Sequence, residues 1–177
     1  MYKPSVPDLL SISRAVLSLP GLWAIANALW HVALPIFLLA VTTDLLDGFL
    51  ARKLGHTSRI GAVLDHGSDA VFVFCCLLAM AIVDVIHWLL PLLVALAFTQ
   101  YILDSRVIRG GALIANRLGK YNGITYYLLA GSWIIQEALG LSIISTETVY
   151  YLGWFLAAST IVSMINRWYM LSFRKSD

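Results

Sequence analysis

Long apolar stretches separated by short polar connections dominate this chain. Each stretch is close to the roughly 20 residues that a helix needs to cross the hydrocarbon of a bilayer. Of the 177 residues, 60% are hydrophobic and 12% are charged, a balance outside the soluble range. We therefore expect an all-α integral membrane protein of one domain, residues 1–177, with a six-helix bundle over residues 15–173. The predicted spans are residues 15–29, 31–51, 62–83, 88–105, 121–139 and 148–170.

The first residues, 1–14, carry an amphipathic pattern that favours a short interfacial helix. On that helix the expected lipid-facing residues are Leu9, Leu10 and Ile12, and the expected water-facing residues are Asp8, Ser11 and Arg14. A cleaved signal peptide is the alternative, since a basic start precedes an apolar run. Pro20 and Gly21 interrupt that run and are expected to kink the first span. Cleavage would also leave an odd number of spans.

The positive charges indicate how the chain is oriented. The twelve Lys and Arg residues lie before the first span, between the second and third, between the fourth and fifth, or from the end of the sixth span onward, where Arg167 lies. The other three connections contain none, so the charged connections all fall on one side of the membrane. The positive-inside rule makes that side cytoplasmic. We expect a multi-pass protein of a bacterial or archaeal-type cytoplasmic membrane, with both termini inside.

Four aspartates flank the connection between the second and third spans. Asp44 and Asp47 share a face of one helix with Gly48 and Ala51, because their spacing is i, i+3, i+4 and i+7. On the next helix, at a spacing of i, i+4 and i+8, one face is shared by Gly61, Asp65 and Asp69. A short loop joins the two helices, so we expect antiparallel neighbours that bring the acids together near the cytoplasmic surface.

Carboxylates at this spacing need a counterion. Oxygen ligands without accompanying His or Cys suit hard ions, so we expect Mg²⁺ or Mn²⁺, with room for two ions. His66 follows Asp65 directly and should face elsewhere, so it is not counted as a ligand. The glycines and alanine on the same faces would let a bulky group approach the backbone, although small residues also serve helix packing.

The complete pattern is Asp44-x2-Asp47-Gly48-x2-Ala51-Arg52-x8-Gly61-x3-Asp65-x3-Asp69. It resembles the signature of the CDP-alcohol phosphotransferases at every position. The stretch "PDLLSISR" is similar to that family's N-terminal "PNLLTxxR", with Asp8 where Asn is usual. The resemblance also covers the layout of an interfacial helix followed by six spans.

The resemblance implies a transferase that moves the phosphatidyl group of a CDP-linked lipid, such as CDP-diacylglycerol, to an alcohol and releases CMP. It implies that Asp44, Asp47, Asp65 and Asp69 bind metal and that Asp69 is also the general base. The implied CDP-lipid contacts are Asp44, Gly48, Ala51, Arg52, Arg59 and Gly61. Membrane lipids surround such an enzyme, and the family suggests a homodimer. Nothing in the sequence indicates a nucleic-acid partner.

The acceptor alcohol is less defined. In relatives that use inositol phosphate or glycerol phosphate, basic residues in corresponding regions bind the acceptor's phosphate, and Arg suits that role. The candidates here are Arg106, Arg109, Arg117, Lys120 and Arg167. They could instead be ordinary topology or headgroup residues. A phosphatidylglycerophosphate synthase is plausible by size, but "GKYNG" lacks the second Lys and the Thr of the GKxKT-like stretch of such enzymes.

Two other functions stay open. Aspartates within a membrane often mark an ion path, so a cation or proton transporter is one alternative. It predicts acids distributed across the membrane, whereas these are expected to cluster at one mouth. A catalytically inactive scaffold of the same fold is the other alternative, and the intact signature argues against it.

Overall fold

The computed structural model describes residues 6–54, 59–104 and 117–173, and this part of the chain is helical throughout apart from short turns. Its six helices are α1 Val6–Ala26, α2 Trp30–Leu54, α3 Arg59–Ile82, α4 Leu89–Asp104, α5 Arg117–Ala138 and α6 Thr146–Phe173. Each helix contains most of one predicted span. The all-α class and the order of the helices are therefore confirmed.

The outer surface of the bundle is apolar. Large side chains such as Leu45, Phe155 and Trp168 are 68%, 70% and 67% exposed, as expected of residues that face lipid. The segments long and apolar enough to cross a membrane are Val6–Ala26, Trp30–Asp47, Gly61–Ile82 and Thr146–Met170, and Leu89–Leu103 is a shorter apolar helix. The described helices thus support membrane character, while six crossings stay a prediction.

Helix α1 joins the predicted interfacial segment to the predicted first span. It runs without a break from Val6 through Pro20 to Ala26. Its apolar side faces outward, with Leu9 56% exposed. Its polar side faces the protein, since Ser11 is 2% exposed and Arg14 is fully buried. The expectation that Asp8, Ser11 and Arg14 face water is therefore wrong, because neighbouring helices cover that side.

The neighbours of α1 are α2 and α3. In the described residues, α1 packs far more extensively against these two helices than they pack against each other. The short loop between α2 and α3 predicts that they are antiparallel neighbours. Helix α1 lies against both acid-bearing helices and brings its own polar side toward the acids.

Helix α5 packs closely against α2, and this contact places Tyr127. A Cβ atom at Gly131 of α5 would lie 2.7 Å from the Phe37 ring of α2, so any larger residue would require the ring to shift. One turn earlier on α5, the Tyr127 ring packs against Phe37 and stacks on Phe72, with centroids 6.2 Å apart in each pair. This aromatic contact holds Tyr127 beside α3, which carries Asp65 and Asp69.

Candidate active site

The four aspartates of the sequence pattern meet in the folded chain. Ligand oxygens of Asp44, Asp47 and Asp65 all lie within 4.8 Å of one another. Asp69, one helical turn beyond Asp65, contacts the same guanidinium as the other three acids. The prediction that the two helices bring their carboxylates together is confirmed.

Arg14 of α1 lies at the centre of this acid cluster, which comprises Asp44, Asp47, Asp65 and Asp69. One of its terminal nitrogens lies 3.1 Å from Asp44 and 3.4 Å from Asp65 and also pairs with Asp69, while the other pairs with Asp47. The Arg14 side chain is fully buried, whereas the side chains of Asp44, Asp65 and Asp69 are 31% to 40% exposed. The acids thus open toward solvent on the side away from α1.

One guanidinium carries one positive charge, and the four ionised carboxylates carry four negative charges. The cluster therefore keeps an excess of three negative charges when all four acids are ionised. Neutral donors help to hold it, since the Ser11 hydroxyl donates to Asp47 across 3.2 Å and the Tyr127 hydroxyl donates to Asp69 across 3.2 Å. Neither donor supplies charge, so the arrangement still favours a further cation.

The donor set fits a hard divalent ion. Mg²⁺ binds oxygen ligands about 2.0 to 2.1 Å away, so its opposite ligands are about 4.2 Å apart. The three oxygens that lie within 4.8 Å of one another would need only a small inward movement to surround such an ion. Carboxylate oxygens are also the ligand type that Mg²⁺ and Mn²⁺ prefer. Asp44, Asp47 and Asp65 are therefore residues that could hold a metal ion, and Asp69 lies one helical turn beyond Asp65.

A cavity of about 600 Å³ opens beside the acid cluster, between α3, α4, α5 and α6. Asp44 and Asp69 line it together with two basic residues, Lys120 of α5 and Arg167 of α6. Other polar side chains on its wall are His66, Gln100, Asn122, Tyr126, Thr160 and Ser163. The cavity thus joins acidic groups suited to metal with basic groups suited to an anion.

Arg167 is held in place by α4. The charged end of its side chain lies over the Tyr101 ring, 4.8 Å from the centroid, and a terminal nitrogen donates to the Tyr101 carbonyl across 3.4 Å. The His66 ring also neighbours the Tyr101 ring and is nearly parallel to it, with centroids 6.2 Å apart. Although Arg167 is only 5% exposed overall, it lines the cavity. An arginine fixed by stacking is well prepared to bind a phosphate.

The remaining candidates from the sequence either do not line the cavity or have side chains outside the described part of the chain. Arg117 is the first residue of α5; it is exposed and does not line this cavity. Gly61 lies half-buried on α3. Gly48, Ala51, Arg52 and Arg59 lie on helical backbone whose side chains are not among those described. Arg106 and Arg109 lie outside the described residues.

Sequence reasoning overlooked several residues at the site. The sequence pattern predicts that Arg14 faces water, yet it contacts every acid of the cluster. His66, set aside as facing elsewhere, lines the cavity with Nδ1 3.6 Å from Asp65. Nothing in the sequence pattern singles out Tyr101 and Tyr127, because aromatic residues in apolar helices usually serve packing. Polar residues at helical spacing on α1 were the available signal for Arg14.

Comparisons with known proteins agree with this geometry. A sequence model of the CDP-alcohol phosphatidyltransferase family matches residues 4–165. A CDP-diacylglycerol–glycerol-3-phosphate 3-phosphatidyltransferase of Aquifex aeolicus (strain VF5) is 30% identical over 161 residues, which cover 91% of this chain and 88% of the relative. A chloroplastic enzyme of the same name from Oryza sativa subsp. japonica is 29% identical, over 97% of this chain and 57% of its own.

A rat protein named cardiolipin synthase (CMP-forming) is 36% identical over 83 residues, which cover 46% of this chain and 28% of the relative. Two of these relatives are named for the same reaction and the third for a different one. The family model spans most of the chain, including all four acids of the cluster. The chain is a transferase and belongs to the CDP-alcohol phosphatidyltransferase family.

Proposed function

We propose that this protein transfers the phosphatidyl group of CDP-diacylglycerol, or a closely similar CDP-linked lipid, to a small phosphorylated alcohol such as glycerol-3-phosphate. The observation that carries the proposal is a single cavity lined by Asp44 and Asp69 together with Lys120 and Arg167. Acidic and positively charged side chains in one cavity suit a reaction between a metal-bound pyrophosphate and an acceptor that carries its own phosphate. The names of the Aquifex and rice relatives support the same donor and acceptor.

The chemical step joins the acceptor oxygen to the β-phosphorus of the CDP-lipid. The bond from that phosphorus to the bridging oxygen breaks, and CMP leaves with the bonding electrons. The proton of the acceptor hydroxyl goes to Asp69, which lines the cavity and is the proposed general base. A general base must lie within hydrogen-bond reach of the proton that it takes. Asp69 meets that requirement if the acceptor occupies the cavity.

Asp44, Asp47, Asp65 and Asp69 would hold the metal, which we propose to be Mg²⁺ or Mn²⁺ with two ions bound. Such ions neutralise a pyrophosphate and stabilise the charge on a departing phosphate. The motif residues Gly48, Ala51, Arg52, Arg59 and Gly61 are proposed to hold the cytidine and phosphate end of the donor. The acyl chains would then remain in the bilayer between helices.

Lys120 and Arg167 would bind the phosphate of the acceptor. A guanidinium already oriented by Tyr101 loses little freedom when an anion binds. Lys120 is exposed near the start of α5 and offers a second positive charge on the same cavity. Of the other basic candidates, Arg117 is now less favoured, because it does not line the cavity.

The transporter alternative is weaker than the transferase. It requires acids along a path through the membrane, whereas the four motif acids gather around one guanidinium. We further propose that the site faces the cytoplasm, in a multi-pass protein with both termini inside, and that the enzyme works as a homodimer. The positive-inside distribution supports the orientation.

The proposal is tested by measuring CMP release from CDP-diacylglycerol by the purified protein. The acceptors to compare are glycerol-3-phosphate, inositol-1-phosphate, inositol, serine and glycerol. We expect release that requires divalent metal and is fastest with a phosphorylated acceptor. Equal rates with glycerol and glycerol-3-phosphate would contradict the acceptor assignment, and no release with any acceptor would contradict the transferase.

A further inference from the structure

Arg14 lies among the carboxylates that would hold a metal ion. Its two terminal nitrogens contact carboxylate oxygens of all four acids. An ion bound to Asp44, Asp47 and Asp65 would lie among oxygens that are within 4.8 Å of one another. A guanidinium and a bound ion would compete for these carboxylates, because both are positively charged and each must approach the acids closely.

We propose that Arg14 is the resident counter-cation of the acid cluster, which positions the four carboxylates in the metal-free protein and gives way when divalent metal binds. Without a cation, four neighbouring carboxylates would repel one another and spread apart. Arg14 prevents this spreading because its planar fork reaches several carboxylates at once. The acids are thereby kept close to the arrangement that metal requires. Arg14 is thus a positioning residue for the metal ligands.

The contacts of Arg14 allow such an exchange. Its Nε is buried without a hydrogen-bond partner among the described residues, so the guanidinium is held only through its terminal nitrogens. Every one of those described contacts is to an acid of the cluster. Binding of metal to these carboxylates would therefore weaken what holds the guanidinium in place. Ser11, on the same side of α1, keeps its own hydrogen bond to Asp47.

The inference rests on the proposed function in one respect, namely that the acid cluster binds divalent metal. It adds a competition between Arg14 and metal for the acid cluster, and the direction in which metal affinity changes when Arg14 is replaced can be measured. A residue that helps to bind metal would weaken metal affinity when replaced. A counter-cation that must leave would instead oppose metal binding, so its replacement should tighten affinity.

The test compares Mn²⁺ binding by wild-type protein, Arg14→Gln and Arg14→Lys in detergent, with free Mn²⁺ measured by electron paramagnetic resonance. We expect Arg14→Gln to bind Mn²⁺ at least about tenfold more tightly, because a positive charge a few ångströms away strongly opposes a cation. Arg14→Lys should lie between the two, because an ammonium keeps the charge but is a compact point charge that bridges fewer carboxylates. Arg117→Gln removes an exposed arginine away from the cavity and should leave the affinity unchanged.

Thermal unfolding supplies a second readout. In EDTA, Arg14→Gln should unfold at a lower temperature than wild type, and Mn²⁺ should raise its midpoint by more than it raises that of wild type. Ser13→Ala should show neither effect, because within the described part of the chain this serine on the same helix donates only to the Leu10 carbonyl of its own helix. If Arg14→Gln folds only when Mn²⁺ is present during purification, the proposal is supported, since metal then replaces the missing cation.

Several results would overturn the inference. Unchanged or weaker Mn²⁺ affinity in Arg14→Gln would do so, as would failure of that variant to fold in saturating Mn²⁺. Equal affinities in wild type and Arg14→Lys would reduce the effect to net charge and exclude displacement. Absence of Mn²⁺ binding by the wild type would instead overturn the metal site of the proposed function, so the two failures are distinguishable.

Discussion

The Tyr127 hydroxyl of α5 donates a hydrogen bond to Asp69 Oδ1 of α3 across 3.2 Å. This contact links the proposed general base to a ring that stacks on Phe72 of the same helix, α3, and packs against Phe37 of α2. Because Asp69 Oδ1 also pairs with Arg14, the second oxygen of Asp69 is left for other partners. Tyr127 thus restricts how the carboxylate of the base is oriented.

Tyr127→Phe removes that hydrogen bond and keeps the ring. A hydrogen bond to a charged group contributes about 1.5 to 3 kcal/mol, so we expect kcat to fall by roughly ten- to a hundredfold. The KM for CDP-lipid should change little, because the metal ligands remain. Steady-state kinetics of the variant measure both. Tyr150→Phe, whose ring lies beside His87, is the matched control and should retain wild-type kcat.

Asp69→Asn and Asp44→Asn should differ in which step they affect. The first removes the proposed base while its amide nearly preserves shape, so turnover should fall by about 10² to 10⁴ with every acceptor. The second should weaken metal and CDP-lipid binding together. Single-turnover rates and CDP-lipid affinity, each measured over a range of Mg²⁺, separate the two. If high Mg²⁺ restores turnover in Asp69→Asn, the residue acts only as a ligand.

Arg167→Gln and Lys120→Gln should raise KM for the phosphorylated acceptor. One lost charge-assisted contact is worth about 1.5 to 3 kcal/mol, which corresponds to roughly ten- to a hundredfold. The affinity for CDP-lipid should be nearly unchanged, since these residues line the cavity beyond the motif. Arg117→Gln is the charge-matched control. Normal acceptor kinetics in both cavity variants would remove the assignment of the phosphate site.

Gly131→Ala tests the contact between α2 and α5. The added Cβ would meet Phe37 at 2.7 Å, and such overpacking typically costs about 1 to 3 kcal/mol. Gly123→Ala is the matched change, since a Cβ there would meet nothing within 4 Å. That variant should be as stable as wild type or slightly more stable, because alanine favours a helix over glycine. Thermal unfolding in detergent compares them, and equal destabilisation would contradict the packing described here.

Topology is tested by thiol labelling in intact cells. Ser142 is exposed in the connection between α5 and α6, and both native cysteines are buried. We expect a Ser142→Cys variant to react with an impermeant reagent from outside, and Thr57→Cys to react only after the cells are opened. The reverse pattern would place the acid cluster on the outer face of the membrane.

The sequence was informative wherever function depended on one helix or on neighbours joined by a short loop. Apolar length located the helices, and the spacing of Asp44, Asp47, Asp65 and Asp69 identified their shared faces. These inferences hold because helical periodicity is a local property. The same reasoning supported the meeting of α2 and α3 acids, which the structure confirms.

The contacts of Arg14 could not be read in the same way. Polar residues at helical spacing on α1 show that one side avoids lipid, but water and a protein interior both satisfy that requirement. The choice between them depends on where α1 packs, which its own sequence does not specify. The stacking of Arg167 on Tyr101 is similar, because it depends on α4 lying beside α6. Packing between helices that are distant in sequence therefore determines the surroundings of these arginines, which the local sequence pattern does not specify.

The central claim is that the acid cluster and the basic cavity carry out one phosphatidyl transfer. The most direct measurement incubates purified protein with CDP-diacylglycerol, glycerol-3-phosphate and Mg²⁺, and quantifies CMP and the lipid product by mass spectrometry. We expect one phosphatidylated acceptor for each CMP released, with both lost in EDTA and strongly reduced in Asp69→Asn. CMP released without a matching lipid product, or turnover that persists in EDTA, would contradict the account.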